Sequence, residues 1–366
     1  MKSFSNKVAA ITGAGSGMGR SLAVQLAQQH CHVALADKNA VGLAETERIV
    51  RALAPSVRVT TCVLDVGDRA AMHAWADETA AAHGRVNLVF NNAGVALSST
   101  IDGMEYSDLE WIVNINFWGV VHGTKAFLPY LKASGDGHIV NTSSIFGIFA
   151  QPGMSGYNAT KYAVRGFTES LRQELDMMKC GVSATCVHPG GIRTNIAQSA
   201  RLAQNMVGFM VESEQQGKAD FEKFFITTAD EAARVILHGV RKNKRRVLIG
   251  RDARGADWLA RTLPAAYQSG HAGSCLVRST FLTARVYATH ARAWVVSSAV
   301  ASPSVIAVCN GVRATLARSN NRSRTAVFPA TICSTVGGGG SSNTGTPSSS
   351  RAMRLPCAWP SRSIFH

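Results

Sequence analysis

Lys7-Val8-Ala9-Ala10-Ile11-Thr12-Gly13-Ala14-Gly15-Ser16-Gly17-Met18-Gly19 decides the fold. The run up to Thr12 is short, apolar and stops at glycine, the pattern of a strand buried on both faces of a parallel sheet. After the glycines, Leu22, Val24, Leu26 and Ala27 take up a helical spacing. Strand, glycine loop and helix in that order form a phosphate-binding element. Glycines let the main chain approach a pyrophosphate, and the helix N-terminus presents free N–H groups and positive dipole. Met18 stands where G-x-G-x-x-G needs its last glycine, so the loop fits T-G-x-x-x-G-x-G instead.

The next apolar run, His32–Ala36, is closed by Asp37. A carboxylate at that strand end accepts the ribose hydroxyls of an adenosine and repels a 2′-phosphate, which favours NAD. Lys38 leaves NADP open, and Asp37 also suits a helix N-cap or a turn. Val57–Leu64 predicts a third strand ending in Asp65-Val66, and Leu88–Phe90 a fourth ending in Asn91-Asn92-Ala93-Gly94. Strands and helices alternating at this spacing predict a Rossmann-like, doubly wound α/β sheet of about seven strands. Ligands in such folds lie outside the strands' carboxyl ends, where each polar cluster falls.

Residues 107–132 read as one long helix, in which Asn114 and Asn116 are out of place and Asn116 with Gly119 marks a local kink. His138–Thr142 predicts the fifth strand and delivers Ser143-Ser144. A helix beginning at Tyr157 carries Tyr157 and Lys161 four residues apart on one face. An ammonium beside a phenol lowers the phenol pKa and prepares it to exchange a proton. Val182–Val187 predicts the sixth strand, ending in His188-Pro189-Gly190-Gly191-Ile192-Arg193-Thr194 where Pro and Gly break it, and Arg246–Gly250 the closing one. Residues 195–225, with no clean strand, are read as a lid, or else two ordinary helices. Arg241–Arg246 reads as a helix C-terminus rich in cations rather than a nucleic-acid patch.

Residues 7–194 resemble the short-chain dehydrogenase/reductase family of nicotinamide-dependent oxidoreductases. The matching stations are Thr12-Gly13-x-x-x-Gly17-x-Gly19, Asn91-Asn92-Ala93-Gly94, Asn116, Ser144, Tyr157-x-x-x-Lys161 and Pro189-Gly190 with Thr194. The resemblance implies Tyr157 as acid/base, Ser144 holding the substrate oxygen, and Lys161 holding the ribose and depressing the tyrosine pKa. It implies a relay water at Asn116, adenine between Asp65 and Val66, a cleft steadied by Asn91, and Thr194 on the carboxamide. Gly15, Ser16, Ala93 and Ile192 complete the implied cofactor contacts. The substrate would be a secondary alcohol or ketone, hydrophobic if the loop Ile145–Phe149 lines its pocket. A homodimer or homotetramer through the helices holding Asn116 and Lys161 is implied too. A non-catalytic dinucleotide sensor on the same fold is the alternative.

Of the 366 residues, 1–267 hold 28 Lys+Arg against 23 Asp+Glu. Residues 268–366 hold 10 Arg and no Lys, Asp or Glu. The first part is expected to be a single catalytic domain. The second reads as a basic, low-complexity tail, either a disordered arm or the product of a shifted reading frame. Eight cysteines without C-x-x-C spacing imply free thiols, no metal site and a cytoplasmic setting. No signal peptide is expected before the first strand, and the uncharged run 293–312 is not expected to span a membrane.

Overall fold

Parallel strands β1 (Val8–Thr12), β2 (His32–Asp37), β3 (Val59–Val63), β4 (Leu88–Asn91), β5 (Gly137–Thr142), β6 (Val182–Pro189) and β7 (Arg246–Ile249) form one sheet, in the spatial order β7-β6-β5-β4-β1-β2-β3. The structure is a computed structural model that describes residues 1–207, 213, 215, 219 and 225–268. The winding reverses between β1 and β4, which opens a crevice at their carboxyl ends.

Alternate side chains feed two cores. Ala9, Ile11, Val33, Leu35, Leu88 and Phe90 face helices α1 (Gly17–Ala27), α2 (Ala40–Leu53) and α7 (Ala229–Arg241). Ala10, Ala34, Val89, Ile139 and Ala184 face α3 (Arg69–His83), α5 (Gly119–Ala133) and α6 (Ser155–Met178). This alternation is the period of two expected of strands buried on both faces. On the second face, Trp75 meets Phe127 edge-on at 5.0 Å. Burying side chains of this size contributes about 1.5–3 kcal/mol each. Val164, Leu171 and Leu175 of α6 are buried too, and Phe167 packs at the margin. Asn39 and Asp68 cap α2 and α3 by accepting the Gly42 and Ala71 N–H groups.

Several boundaries differ from the sequence reading. β3 is shorter than 57–64: its pairing with β2 runs from Val59 to Val63, and Leu64 and Val66 beyond it bury their side chains in the second core. The long helix is α4 (Tyr106–Val113) and α5 joined by a five-residue π-turn, Asn114–Trp118. A π-turn adds a residue to the helix and turns Asn116 inward. The Tyr157 helix begins two residues earlier, at Ser155. Within 195–207, Arg201–Leu202 forms a two-residue parallel strand with Leu97–Ser98, and Gln204–Met206 a 3-10 turn. The rest of the expected lid is largely outside the described residues, and so is the expected tail beyond Gln268. The cations of 241–246 serve the fold: Arg245 pairs with Asp176, Arg246 with Asp257, and Arg241 bonds Gln29 and lies over Phe4.

Candidate active site

The glycine loop is packed too tightly for side chains. A Cβ at Gly19 would lie 2.0 Å from the Gly13 carbonyl, and Gly13 itself has φ +67°. Ser16 makes no side-chain cap, so the first-turn N–H groups of α1 are left for another acceptor. Met18 packs its side chain on the core. Thr12 is buried, and its Oγ accepts the Asn92 and Ala93 N–H groups at 3.0 and 3.1 Å. It therefore ties the β1 loop to the β4 loop, and its hydroxyl is spent on protein.

Asp37 sits beside that loop, accepting the Gly15 and Asn39 N–H groups at 2.8 Å each. Lys38 turns away to Asp65, Nζ to Oδ2 at 2.7 Å. That bond and the Gly67 N–H hold the Asp65 carboxyl below its ordinary pKa. Val66 is buried, touching the place a Gly119 side chain would need. On the far side, Thr194 lies against Gly17: a Cβ there would come within 2.8 Å of Thr194 Cγ2. Gly190 follows Pro189, and Ile192 buries its side chain in the core, leaving only main chain toward the crevice. The residues that the sequence assigned to a dinucleotide thus line one edge, and the uncapped N–H groups and the paired Asp37 fit a pyrophosphate and a ribose.

Two asparagines act as struts. Asn91 donates to Thr124 Oγ1 (3.1 Å) and Asn141 Oδ1 (2.8 Å), and Asn141 passes the chain on to Thr168 at 3.0 Å. Asn116, fully buried, accepts the Val95 N–H at 2.8 Å and donates to the Val95 carbonyl at 2.9 Å and Thr160 Oγ1 at 3.3 Å. Both its amide hydrogens are used within the protein. Gly94 packs here because a Cβ would meet Asn116 Oδ1 at 3.2 Å and Lys161 Nζ at 3.4 Å.

Ser144, Tyr157 and Lys161 share this cleft, all buried. The Ser144 hydroxyl lies close enough to the Tyr157 phenol to favour its ionised form, and Ser144 Oγ accepts the Phe146 N–H at 3.1 Å. Lys161 Nζ donates to the Thr142 carbonyl at 3.1 Å and lies 5.6 Å from the Tyr157 ring centroid. Ser143 Oγ clamps α6 to β5 by donating to the Lys161 carbonyl at 2.7 Å. In the free protein, burial and the Ser144 hydroxyl are the two influences on the phenol. Burial dominates, pushing Tyr157 up to about 12 against the lowering influence of Ser144. Burial likewise brings Lys161 down to about 8. Spacing along a helix gives proximity, but depth decides the sign.

Around Tyr157 lie Ala96, Leu97, Ile112 and Met154, with Phe146 edge-on at 6.1 Å and Ile196 and Ala200 beside them. Phe149 stacks on Tyr267 at 4.6 Å, and the Tyr267 hydroxyl accepts the Ala150 N–H at 3.2 Å. Three residues near the cleft were given no site role from the sequence: Tyr267, His188 and Asp252, whose Oδ2 accepts the Gly191 N–H at 2.6 Å. Tyr267 and Asp252 reach the site from far along the chain, and His188, although next to Pro189-Gly190, carries no local sign of its contact with Ser144. Among the described residues no cluster of His, Cys, Asp or Glu suits a metal, and no helix is long and apolar enough to cross a membrane.

Comparison with known proteins adds an independent line. The family model described as short chain dehydrogenase matches residues 7–205. A Mycobacterium tuberculosis protein called oxidoreductase SadH is 47% identical over 270 residues, 73% of this chain and 95% of that protein. Levodione reductase of Leifsonia aquatica is 33% identical over 198 residues, 54% of this chain and 73% of the enzyme. Among solved structures, a short chain dehydrogenase/reductase from Burkholderia phymatum in complex with NAD superimposes with a TM-score of 0.66 at 29% identity, covering 72% of this chain and 95% of that one.

Proposed function

The chain belongs to the short-chain dehydrogenase/reductase family of oxidoreductases, and within that family we propose an NAD-dependent enzyme acting on a hydrophobic secondary alcohol or ketone. One observation carries the reading: buried Ser144, Tyr157 and Lys161 converge in one cleft beside a glycine loop whose N–H groups are uncapped. When bound, the nicotinamide supplies a hydride acceptor at its C4. Ser144 Oγ holds the substrate oxygen, and Tyr157 takes the hydroxyl proton as the alcohol is oxidised, or returns it to the carbonyl in reduction. Lys161 fixes the ribose and supplies positive charge. Thr194 and the Pro189–Ile192 main chain receive the carboxamide end, while the Asp65–Val66 edge flanks the adenine. Asn116 braces Val95 and α6; a relay water would use main-chain oxygen at the π-turn.

Asp37 supports NAD over NADP, since its carboxylate is fixed by two main-chain donors and Lys38 is engaged by Asp65. The NAD bound to the Burkholderia relative agrees with that choice. The apolar side chains around Tyr157 support a hydrophobic substrate. Half-exposed Trp118, with Phe117 against Phe167 at 6.3 Å, offers an apolar face for a dimer or tetramer. The four free cysteines among the described residues suit a reducing cytoplasm. A dinucleotide sensor is the weaker reading, because binding alone has no use for a buried serine, phenol and ammonium. The test is a panel of cyclohexanol, 2-octanol and 1-phenylethanol with NAD and NADP, read by absorbance of the reduced nicotinamide. Tyr157→Phe should keep NADH affinity and lose turnover; unchanged turnover in that variant defeats the assignment.

A further inference from the structure

His188 closes β6, and its ring is wholly buried. Nδ1 lies 3.0 Å from the Ser144 carbonyl oxygen. A carbonyl only accepts, so the proton is on Nδ1, and Nε2 is left a bare acceptor with no hydrogen-bond partner. The main-chain ladder between β5 and β6 finishes one residue earlier, where the Ser143 N–H reaches the Val187 carbonyl at 2.8 Å. The imidazole therefore adds a final rung that the main chain does not supply, and it falls on the residue whose hydroxyl neighbours the Tyr157 phenol in the cleft.

We propose that His188 is a positioning residue for the reaction: its Nδ1–H holds the Ser144 peptide, so that Oγ is presented to the Tyr157 hydroxyl and to the substrate oxygen. The inference rests on the role given to Ser144 above. Burial, with Arg246 and Arg165 nearby, brings the imidazole down to about 4 against the opposing Ser144 bond and Asp257, so the ring is neutral at any ordinary assay pH. It acts by geometry and carries no proton of the reaction.

Stereochemistry supplies the test. Nδ1 stands two bonds from Cβ, as does the amide nitrogen of asparagine; Nε2 stands three bonds away, as does that of glutamine. His188→Asn can thus remake the rung, whereas His188→Gln and His188→Leu cannot. With full-length protein and the fastest of the three alcohols named above, kcat of the Leu and Gln variants should fall about 10-fold or more, the loss of one hydrogen bond's worth of alignment. The Asn variant should return to within about 3-fold of wild type, and NADH affinity, read by nicotinamide fluorescence, should stay within about 3-fold throughout. Equal kcat in the Asn and Gln variants, or a Leu variant as fast as wild type, overturns the proposal. Ser144→Ala separates the two levels: if it retains full turnover, the reading of the site itself has failed. A crystal structure of His188→Gln needs no substrate and decides the same point. The Ser144 carbonyl should swing away and Oγ should leave Tyr157; a serine that keeps its place overturns the proposal.

Discussion

Replacing Asn116 by alanine removes three hydrogen bonds from a fully buried position, two to the Val95 peptide and one to Thr160. A net contribution of about 1 kcal/mol per bond gives a loss of about 3 kcal/mol. Val95 is only half-buried, so water can recover part of what its peptide loses. The helix can also relax, since the π-turn has no reason to persist once the side chain it turns inward is gone. Both effects trim the figure, whereas a residual cavity enlarges it. For a domain of this size, 3 kcal/mol corresponds to a fall in Tm of roughly 6–12 °C. Circular dichroism melts of wild type and Asn116→Ala measure it directly. Asn116→Asp is the sharper companion: it keeps the acceptor for the Val95 N–H but sets a carboxylate oxygen against the Val95 carbonyl. Its loss should equal or exceed that of alanine. If both variants melt within about 2 °C of wild type, Asn116 is not the strut described.

Gly123→Ala should cost about 1–3 kcal/mol, because its Cβ would lie 2.1 Å from Asn91 Oδ1 and force the asparagine chain apart; an unchanged urea midpoint would refute this. Asp37→Ser should weaken NAD binding by about 10-fold or more while narrowing the gap to NADP; titration of both reduced cofactors by fluorescence checks it, and an unaltered ratio counts against Asp37 as the discriminating group. Burial brings His138 down to about 3 and His83 to about 4, below the ordinary value near 6.5. The unfolded chain therefore binds protons first on acidification. Stability is fully present above about pH 6.5 and falls, by up to about 1.4 kcal/mol per pH unit for each imidazole, until about pH 4 for His83 and about pH 3 for His138. His138→Gln should flatten the dependence of Tm on pH between 7.5 and 5, and an identical slope would contradict the assignment.

Much of this was legible in the sequence, for definable reasons. Buried parallel strands are short apolar runs, and the glycine loop must be glycine because Gly13 and Gly19 meet main chain at less than contact distance. Asp37, Asn91, Ser144 and Thr194 are found at strand ends because strand ends are where apolar runs stop. Asn116 betrayed itself by being a poor helix residue, although only the structure gives the π-turn. What stayed hidden depends on depth or on long loops. The i,i+4 step from Tyr157 to Lys161 says nothing about how much water either group keeps, so the burial that pushes the phenol up leaves no mark in that spacing. Two-residue strands such as Arg201–Leu202 are shorter than any period that could announce them. His188 and Ser144 are 44 residues apart, and neither carries a local sign of the other.

The stacking of Tyr267 on Phe149 has a practical side. Because the hydroxyl of Tyr267 also caps the Ala150 amide, residue 267 is moored against the Ile145–Phe149 loop beside Ser144. An affinity tag or fusion partner joined just beyond it would start its path beside that loop rather than on a remote surface. Labels intended to leave turnover untouched belong at the other terminus, where Met1 approaches Asp136 at the amino end of β5.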